Sequence, residues 1–277
     1  MKKSIKHVVY PLALISMSLF VIVGCSDEDL APDNQIDYGS VTDIEGNEYK
    51  TVVIGDQEWM AENLRVTRYN NGDAIPGGLN DTEWENTASG AYAVYPHTGI
   101  SGLGSDEEVL GAYGVLYNWF AVDDERGLCP AGWRVPGDED WTQLVDSLVK
   151  KYNLHNYWAI SDIDGAGNAL KSCRQANSPL GGSCNTSGHP RWNAHDTHYG
   201  MNLVGLSLLP GGNRIPSGQF FMLGTTGYWW SADEHSTIYA WAREASNDVG
   251  NISSYFPHKS SGLSICCVRE FVPPEDD

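Results

Sequence analysis

An export signal followed by five cysteines constrains the fold of this chain more than any other feature. Lys2, Lys3 and Lys6 precede the apolar run Leu19-Phe20-Val21-Ile22-Val23-Gly24, which ends at Cys25. A basic start, an apolar stretch and small residues, in that order, read as a secretory signal peptide. The run is short of the ~20 apolar residues that cross a bilayer. The rest of the chain is therefore expected to fold outside the cytoplasm, where paired cysteines default to disulfides. Cys173 and Cys184 flank a polar stretch holding Pro179, Gly181 and Gly182, and a local bridge should close that loop. Cys129 should reach across the domain to the last strand, at Cys266 or Cys267. Adjacent residues of a strand point to opposite faces, so only one of the two can join. Leu263, Ile265 and Cys267 share one face, which reads as the core side. That favours Cys267 and leaves Cys266 as a free thiol.

A cysteine directly after Gly24 resembles a bacterial lipobox, with Cys25 as the lipidated first residue of the mature protein. Ser26-Asp27-Glu28-Asp29 resembles the signal that sends Bacteroidetes lipoproteins to the outer face of the outer membrane. The expected organisation is a signal peptide at 1–24, an acidic polar tether at 25–40, one body at 41–272 and a tail at 273–277. Loss of the signal peptide removes three lysines, so Lys+Arg falls from 17 to 14 against 36 Asp+Glu, a mature charge of −22. Such a surface repels phosphate backbones and carries no basic stripe, which argues against nucleic acid as a partner. All ten tryptophans lie in the body. With its many glycines, the body reads as α+β, with small antiparallel sheets and long loops.

The pattern along the chain locates the elements. Residues 41–54 alternate around Gly46-Asn47, a hairpin signal. Residues 113–120 are apolar and aromatic, and suit a buried strand or helix. The clearest helix is expected over 138–152, where Trp141, Leu144, Val145, Leu148 and Tyr152 recur at helical spacing. Asp138, Glu139 and Asp140 meet the positive end of its dipole, and Lys150 and Lys151 its negative end. A second short helix is expected over 166–171. Residues 205–209, 227–231, 239–242 and 264–268 read as strands, the last closing the fold.

The order of several words in the body is similar to that of a known family. They are "TDIEGNEYKTVVIGDQEWMAENLRVTRYNNGDAIP" from Thr42, "YGVLYNWFAV" from Tyr113, "LCPAGWRVPGDEDWTQL" from Leu128, "GNALKS" from Gly167, "LSLLPGGNR" from Leu206, "LGTTGYWWSADE" from Leu223 and "CVRE" from Cys267. Together they resemble the Fibrobacter succinogenes major paralogous domain, which has no established activity and resembles the C-type-lectin-like superfamily. The resemblance implies two helices, paired N- and C-terminal strands, a long loop region on one side and a Cys129–Cys267 bridge. Three positions depart from the pattern. Gly137 stands where Thr or Ser usually caps the main helix, a loss of about a few tenths of a kcal/mol. Cys266 replaces a basic residue, and Asn213 replaces an aromatic one.

Candidate chemistry is sparse. The Glu-Pro-Asn or Gln-Pro-Asp loop and the Trp-Asn-Asp word of calcium-dependent lectins do not occur, and Trp230-Ser231-Ala232-Asp233 is the nearest echo. Calcium needs about six to eight oxygen ligands, and no motif supports it here; no cofactor is expected. His189, His195 and His198 fit no zinc template and read as loop histidines. A lone spare thiol at Cys266 does not make the oxidase site of the formylglycine-generating branch, and no catalytic residue is assigned. The remaining candidate is an aromatic and amide-bearing surface, with Trp241, Arg243, Asn247, Asn251 and Tyr255 as its ligand contacts. Trp119, Trp133, Trp141 and at least one of Trp229 and Trp230 are assigned to the core. The expected function is a lipid-anchored, cell-surface binding domain for a glycan or protein. An extracellular enzyme and a subunit of a surface assembly are the alternatives.

Overall fold

A computed structural model describes residues 36–156 and 164–273; Cys25, the signal segment and residues 274–277 lie outside it. The first part of the chain forms β1 (Gly39–Thr42), β2 (Glu48–Ile54), β3 (Gln57–Met60), α1 (Asp81–Asn86), β4 (Tyr92–Ala93), α2 (Asp106–Tyr113), β5 (Leu116–Tyr117) and α3 (Trp119–Val122). Then come α4 (Asp138–Tyr152), α5 (Ala166–Leu170), β6 (Asn213–Arg214), β7 (Phe220–Phe221), β8 (Thr226–Glu234), β9 (Ala240–Ser246), β10 (Ile252–Tyr255) and β11 (Val268–Glu270). This is a mixed α+β fold with four small antiparallel sheets among the described residues, ordered β1-β2-β3-β11, β10-β9-β8, β4-β5 and β6-β7.

The hairpin at 41–54 forms as its alternation predicts. Gly46 takes φ 84° in the turn, a conformation glycine reaches without a steric penalty. The strand before it starts earlier than the sequence suggests, because Gly39 and Ser40 already pair with Thr51 and Lys50. Ile36 and Tyr38 pack on the core as well. The last residues of the expected tether therefore belong to the body.

Three segments form a wall with a core on each side. Trp59, Trp229 and Cys266 face one apolar cluster, with Trp141, Leu144 and Leu148 of α4. Their neighbours Met60, Trp230 and Cys267 face the other, with Tyr49, Tyr117 and Trp119. The Met60 amide donates to the Cys267 carbonyl at 2.9 Å, and the Trp230 amide to the Ser264 carbonyl at 3.1 Å. A wall buried on both faces needs apolar residues at consecutive positions rather than alternate ones. Both Trp229 and Trp230 are accordingly buried. Their indole N–H groups donate to Asn63 Oδ1 at 2.9 Å and to the Tyr117 carbonyl at 2.7 Å, which removes the desolvation cost of two buried donors.

The two bridges are Cys129–Cys267 and Cys173–Cys184. Cys266 is free and buried, and burial raises its thiol pKa well above the usual range. A protonated, enclosed thiol is a poor nucleophile. The closing strand corrects the sequence reading in its bounds. Leu263 and Ser264 make single bridges to Tyr117 and Trp229, and the regular ladder begins only at Val268, opposite Trp59. Residues 205–209 form no strand: Gly205 and Ser207 take positive φ, which breaks the extended run.

Candidate binding surface

The β8–β9 hairpin carries the most exposed ring cluster among the described residues. Trp230 pairs with Ala242, but Glu234 pairs with Ala240. Three residues of β8, 231–233, thus oppose Trp241 alone, a bulge that twists the strand and redirects its side chains. Beyond the bulge the His235 and Ser236 amides both donate to the Tyr239 carbonyl, at 3.0 and 2.9 Å, and close the turn. The segment after β10 folds against this turn through a Tyr239–His258 bridge. An Ala240 amide to Pro257 carbonyl bond of 3.2 Å adds to it.

Five rings meet there. His235 stacks on Phe256 with centroids 4.2 Å apart and planes at 5°. Trp241 stands edge-on to both, at 4.8 and 5.6 Å. Tyr239 meets Phe256 at 6.2 Å and His258 at 6.0 Å. These are favourable offset and edge geometries, each worth about 0.5–1.5 kcal/mol beyond burial. They hold the rings in place before any ligand arrives. Phe256 nevertheless stays 49% exposed, as does Ile238 in the same turn, and Tyr239 is 37% exposed. These are three of the eight large apolar side chains exposed among the described residues, gathered at one tip. At its edge Lys259 pairs with Glu234 at 3.0 Å.

The five sequence candidates do not form one site. Trp241 belongs to the ring cluster. Tyr255 precedes it but turns inward to Tyr228, with centroids 5.7 Å apart, and burial pushes its phenol well above the usual value. Arg243 was expected on the surface and is instead 5% exposed. It donates to Asp138 Oδ1 at 2.5 Å, to the Asp138 carbonyl at 3.0 Å and to Thr142 Oγ1 at 3.1 Å, so it ties β9 to the first turn of α4. Asn251 was also expected outside and is buried. Its backbone carbonyl lies so close to Gly167 of α5 that a Cβ there would come within 2.2 Å. Asn247 lies past the far end of β9, where its Nδ2 donates to the Asn193 carbonyl at 3.3 Å. It lies six positions along from Trp241, about 20 Å of extended chain.

Asp233, in the word nearest to a lectin calcium motif, has a structural task. Its Oδ2 accepts the Asp138 amide at 2.5 Å, while Asp140 Oδ2 accepts the Gly137 amide at 2.7 Å. A carboxylate from β8 thus replaces the side-chain cap that Gly137 lacks. A Cβ on Gly137 would come within 3.0 Å of Asp233 Oδ2, so the glycine makes room for its substitute. Among the loop histidines, His195 stacks on His198 at 4.8 Å, and His189 bonds Tyr113 Oη through Nδ1 at 2.6 Å. No group of three or more His, Cys, Asp or Glu side chains among the described residues is arranged to hold a metal ion.

His235, Ile238, Tyr239, Phe256 and His258 were not singled out from the sequence. Three of them lie in the segment 233–255, whose mix of Trp, Tyr, Asn and acidic residues is the signal for a contact surface, but the bulge that gathers them has no sequence mark of its own. The family model described as the Fibrobacter succinogenes major domain matches residues 52–269. The chain belongs to this family. No curated protein and no solved structure matches it. The match covers most of both core clusters, the bulge and the ring cluster.

Proposed function

We propose that this member of the Fibrobacter succinogenes major domain family is a lipid-anchored cell-surface protein that recognises an extracellular glycan or protein without covalent chemistry. Cys25 carries the lipid, and Ser26-Asp27-Glu28-Asp29 directs the protein to the outer face of the outer membrane. The ring cluster of Trp241, His235, Phe256 and Tyr239 is the contact surface. Its exposure is the observation that carries this reading. Folding gains most from rings that it buries, at about 25 cal/mol per Å² of apolar area, yet here several are held half-open in fixed mutual geometry. Open, pre-ordered rings suit the apolar face of a sugar or a partner's apolar anchor, because little entropy is lost on contact. Antiparallel pairing of the C-terminal β11 with β3 supports C-type-lectin-like kinship.

The test is a glycan array probed with the full-length protein, with and without calcium. The expected result is a defined set of bound glycans, lost on Trp241→Ala or Phe256→Ala. Binding that survives both substitutions would remove the ring cluster from the account. Binding that needs calcium would add a metal to it.

A further inference from the structure

Positive charge gathers where Arg174, inside the Cys173–Cys184 loop, meets Arg191 just before Trp192, in a chain with 36 acidic and 17 basic residues. Six of the nine arginines pair with carboxylates: Arg68, Arg126, Arg134, Arg214, Arg243 and Arg269. Arg65, Arg174 and Arg191 have no carboxylate partner among the described residues, although carboxylates outnumber cations about twofold; Arg65 lies over the Tyr49 ring and donates to the Glu48 carbonyl, which leaves Arg174 and Arg191 as a pair. The backbone brings them together. Parallel bridges join Gln175 to Asn185 and to Trp192, and the Trp192 amide donates to the Arg174 carbonyl at 2.8 Å.

Carbonyl groups hold each guanidinium by one edge. Arg174 donates from Nε to the Pro190 carbonyl at 2.7 Å and from Nη2 to the Gly188 carbonyl at 3.3 Å. Arg191 donates from Nε to the Ser187 carbonyl at 2.9 Å. Nη1 of Arg174 and both Nη atoms of Arg191 have no protein acceptor among the described residues. His189 stands between them. Its Nε2 lies 3.1 Å from the Ser101 carbonyl, which can only accept, so Nε2 carries the proton and Nδ1 accepts from Tyr113. Burial, with the two guanidiniums adding, holds its imidazole below the usual value, as expected of a locally positive site.

His189 lines two neighbouring pockets. One, of about 300 Å³, is lined by Arg191, Tyr95 and Asn193. The other, of about 560 Å³, is lined by Arg174, Lys50, Tyr38 and Asn202. Glu62 also lines the second pocket, and its carboxylate accepts the Lys50 amide at 2.8 Å. Each pocket thus offers a guanidinium, a tyrosine ring and a side-chain amide. We propose that these pockets together bind an acidic glycan, with the anionic group of one sugar on Arg191 and that of a nearby sugar on Arg174. A guanidinium matches carboxylate or sulfate through paired N–H donors. The rings suit sugar C–H faces and the amides suit hydroxyls. The protein's overall field repels polyanions, so affinity must come from these local contacts. The proposal does not depend on the ring cluster of Trp241.

The experiment is calorimetric titration of the full-length protein in detergent with polygalacturonate, heparin and neutral dextran, at low ionic strength. At least one polyanion should bind, and dextran should not compete with it. Polygalacturonate alone would assign a carboxylate, and heparin alone a sulfate. Arg174→Gln with Arg191→Gln should weaken binding roughly tenfold or more. Lys150→Gln with Lys151→Gln, which removes the same charge from the end of α4, should change it less than about twofold. Absence of polyanion binding overturns the proposal. So does unchanged binding by the arginine variant, or an equal loss in the lysine variant. If the glutamine variant does not fold, Arg174→Lys with Arg191→Lys decides. It keeps the charge but not the paired donors, so a loss of about threefold or more supports the proposal and wild-type affinity overturns it.

Discussion

Lys171 shows how single residues here are fixed by backbone groups rather than by partner charges. It is fully buried. Its Nζ donates to the carbonyls of His198 at 2.7 Å, Ser246 at 2.7 Å and Val249 at 3.0 Å, and so ties α5 to the two loops beyond it. Three acceptors use all three ammonium donors. Burial nevertheless pushes the group down to about 7 from 10.5, against the attraction of Asp248. Between those two values the unfolded chain holds a proton that the folded chain has released. Raising the pH through that window therefore adds stability, and below about 7 the dependence on this group vanishes. Lys171→Met strands three carbonyls and should cost about 3 kcal/mol or more at neutral pH. Urea unfolding at pH 7 and pH 9.5 checks both points. The wild type should gain stability over that interval relative to Lys171→Met; a constant difference would mean that the amine does not titrate there.

At the scale of elements, α4 was the most legible part of the sequence, and its cap was the least. The stripe from Trp141 to Leu148 is buried as its spacing requires, because a helix face has one period and one partner layer. Asn153 ends the helix in the left-handed conformation, at φ 52°. The cap, however, comes from Asp233, 95 residues away, and no local pattern announces it. For the same reason Arg243, on a strand that reads as exposed, is drawn inward by Asp138. Asp233→Ala should destabilise the fold by about 1 kcal/mol. Adding Gly137→Ser to that variant should restore part of the loss, since the serine supplies a cap in the vacated space. Urea midpoints of the two single variants and the double variant measure the coupling. Strictly additive effects would contradict a shared cap.

Over the whole molecule, the bridges and the wall explain why some of the site was readable and some was not. The Cys129–Cys267 pairing is favoured over Cys129–Cys266 by the core-side face of the last strand and by family resemblance, and it joins positions 138 residues apart. Cys173–Cys184 closes a separation of only 11. On loop entropy alone, removing the first should cost between 4 and 5 kcal/mol, as about a 100-residue loop implies, and removing the second about 3 kcal/mol. Paired Cys→Ser variants compared by calorimetry should therefore show the larger fall in melting temperature for Cys129–Cys267. That pair also places two hydroxyls in a core cluster. The ring cluster was legible only at Trp241, because its other members converge through a bulge and a returning segment that tertiary contacts set. The central claim is that this cluster, which keeps Trp241 but not Arg243, Asn247, Asn251 or Tyr255, is the contact surface. The most direct measurement is the dissociation constant of the strongest array glycan for Phe256→Ala and Asn247→Ala beside the wild type. The account predicts a loss of about tenfold or more for Phe256→Ala and wild-type affinity for Asn247→Ala. The reverse pattern would contradict it.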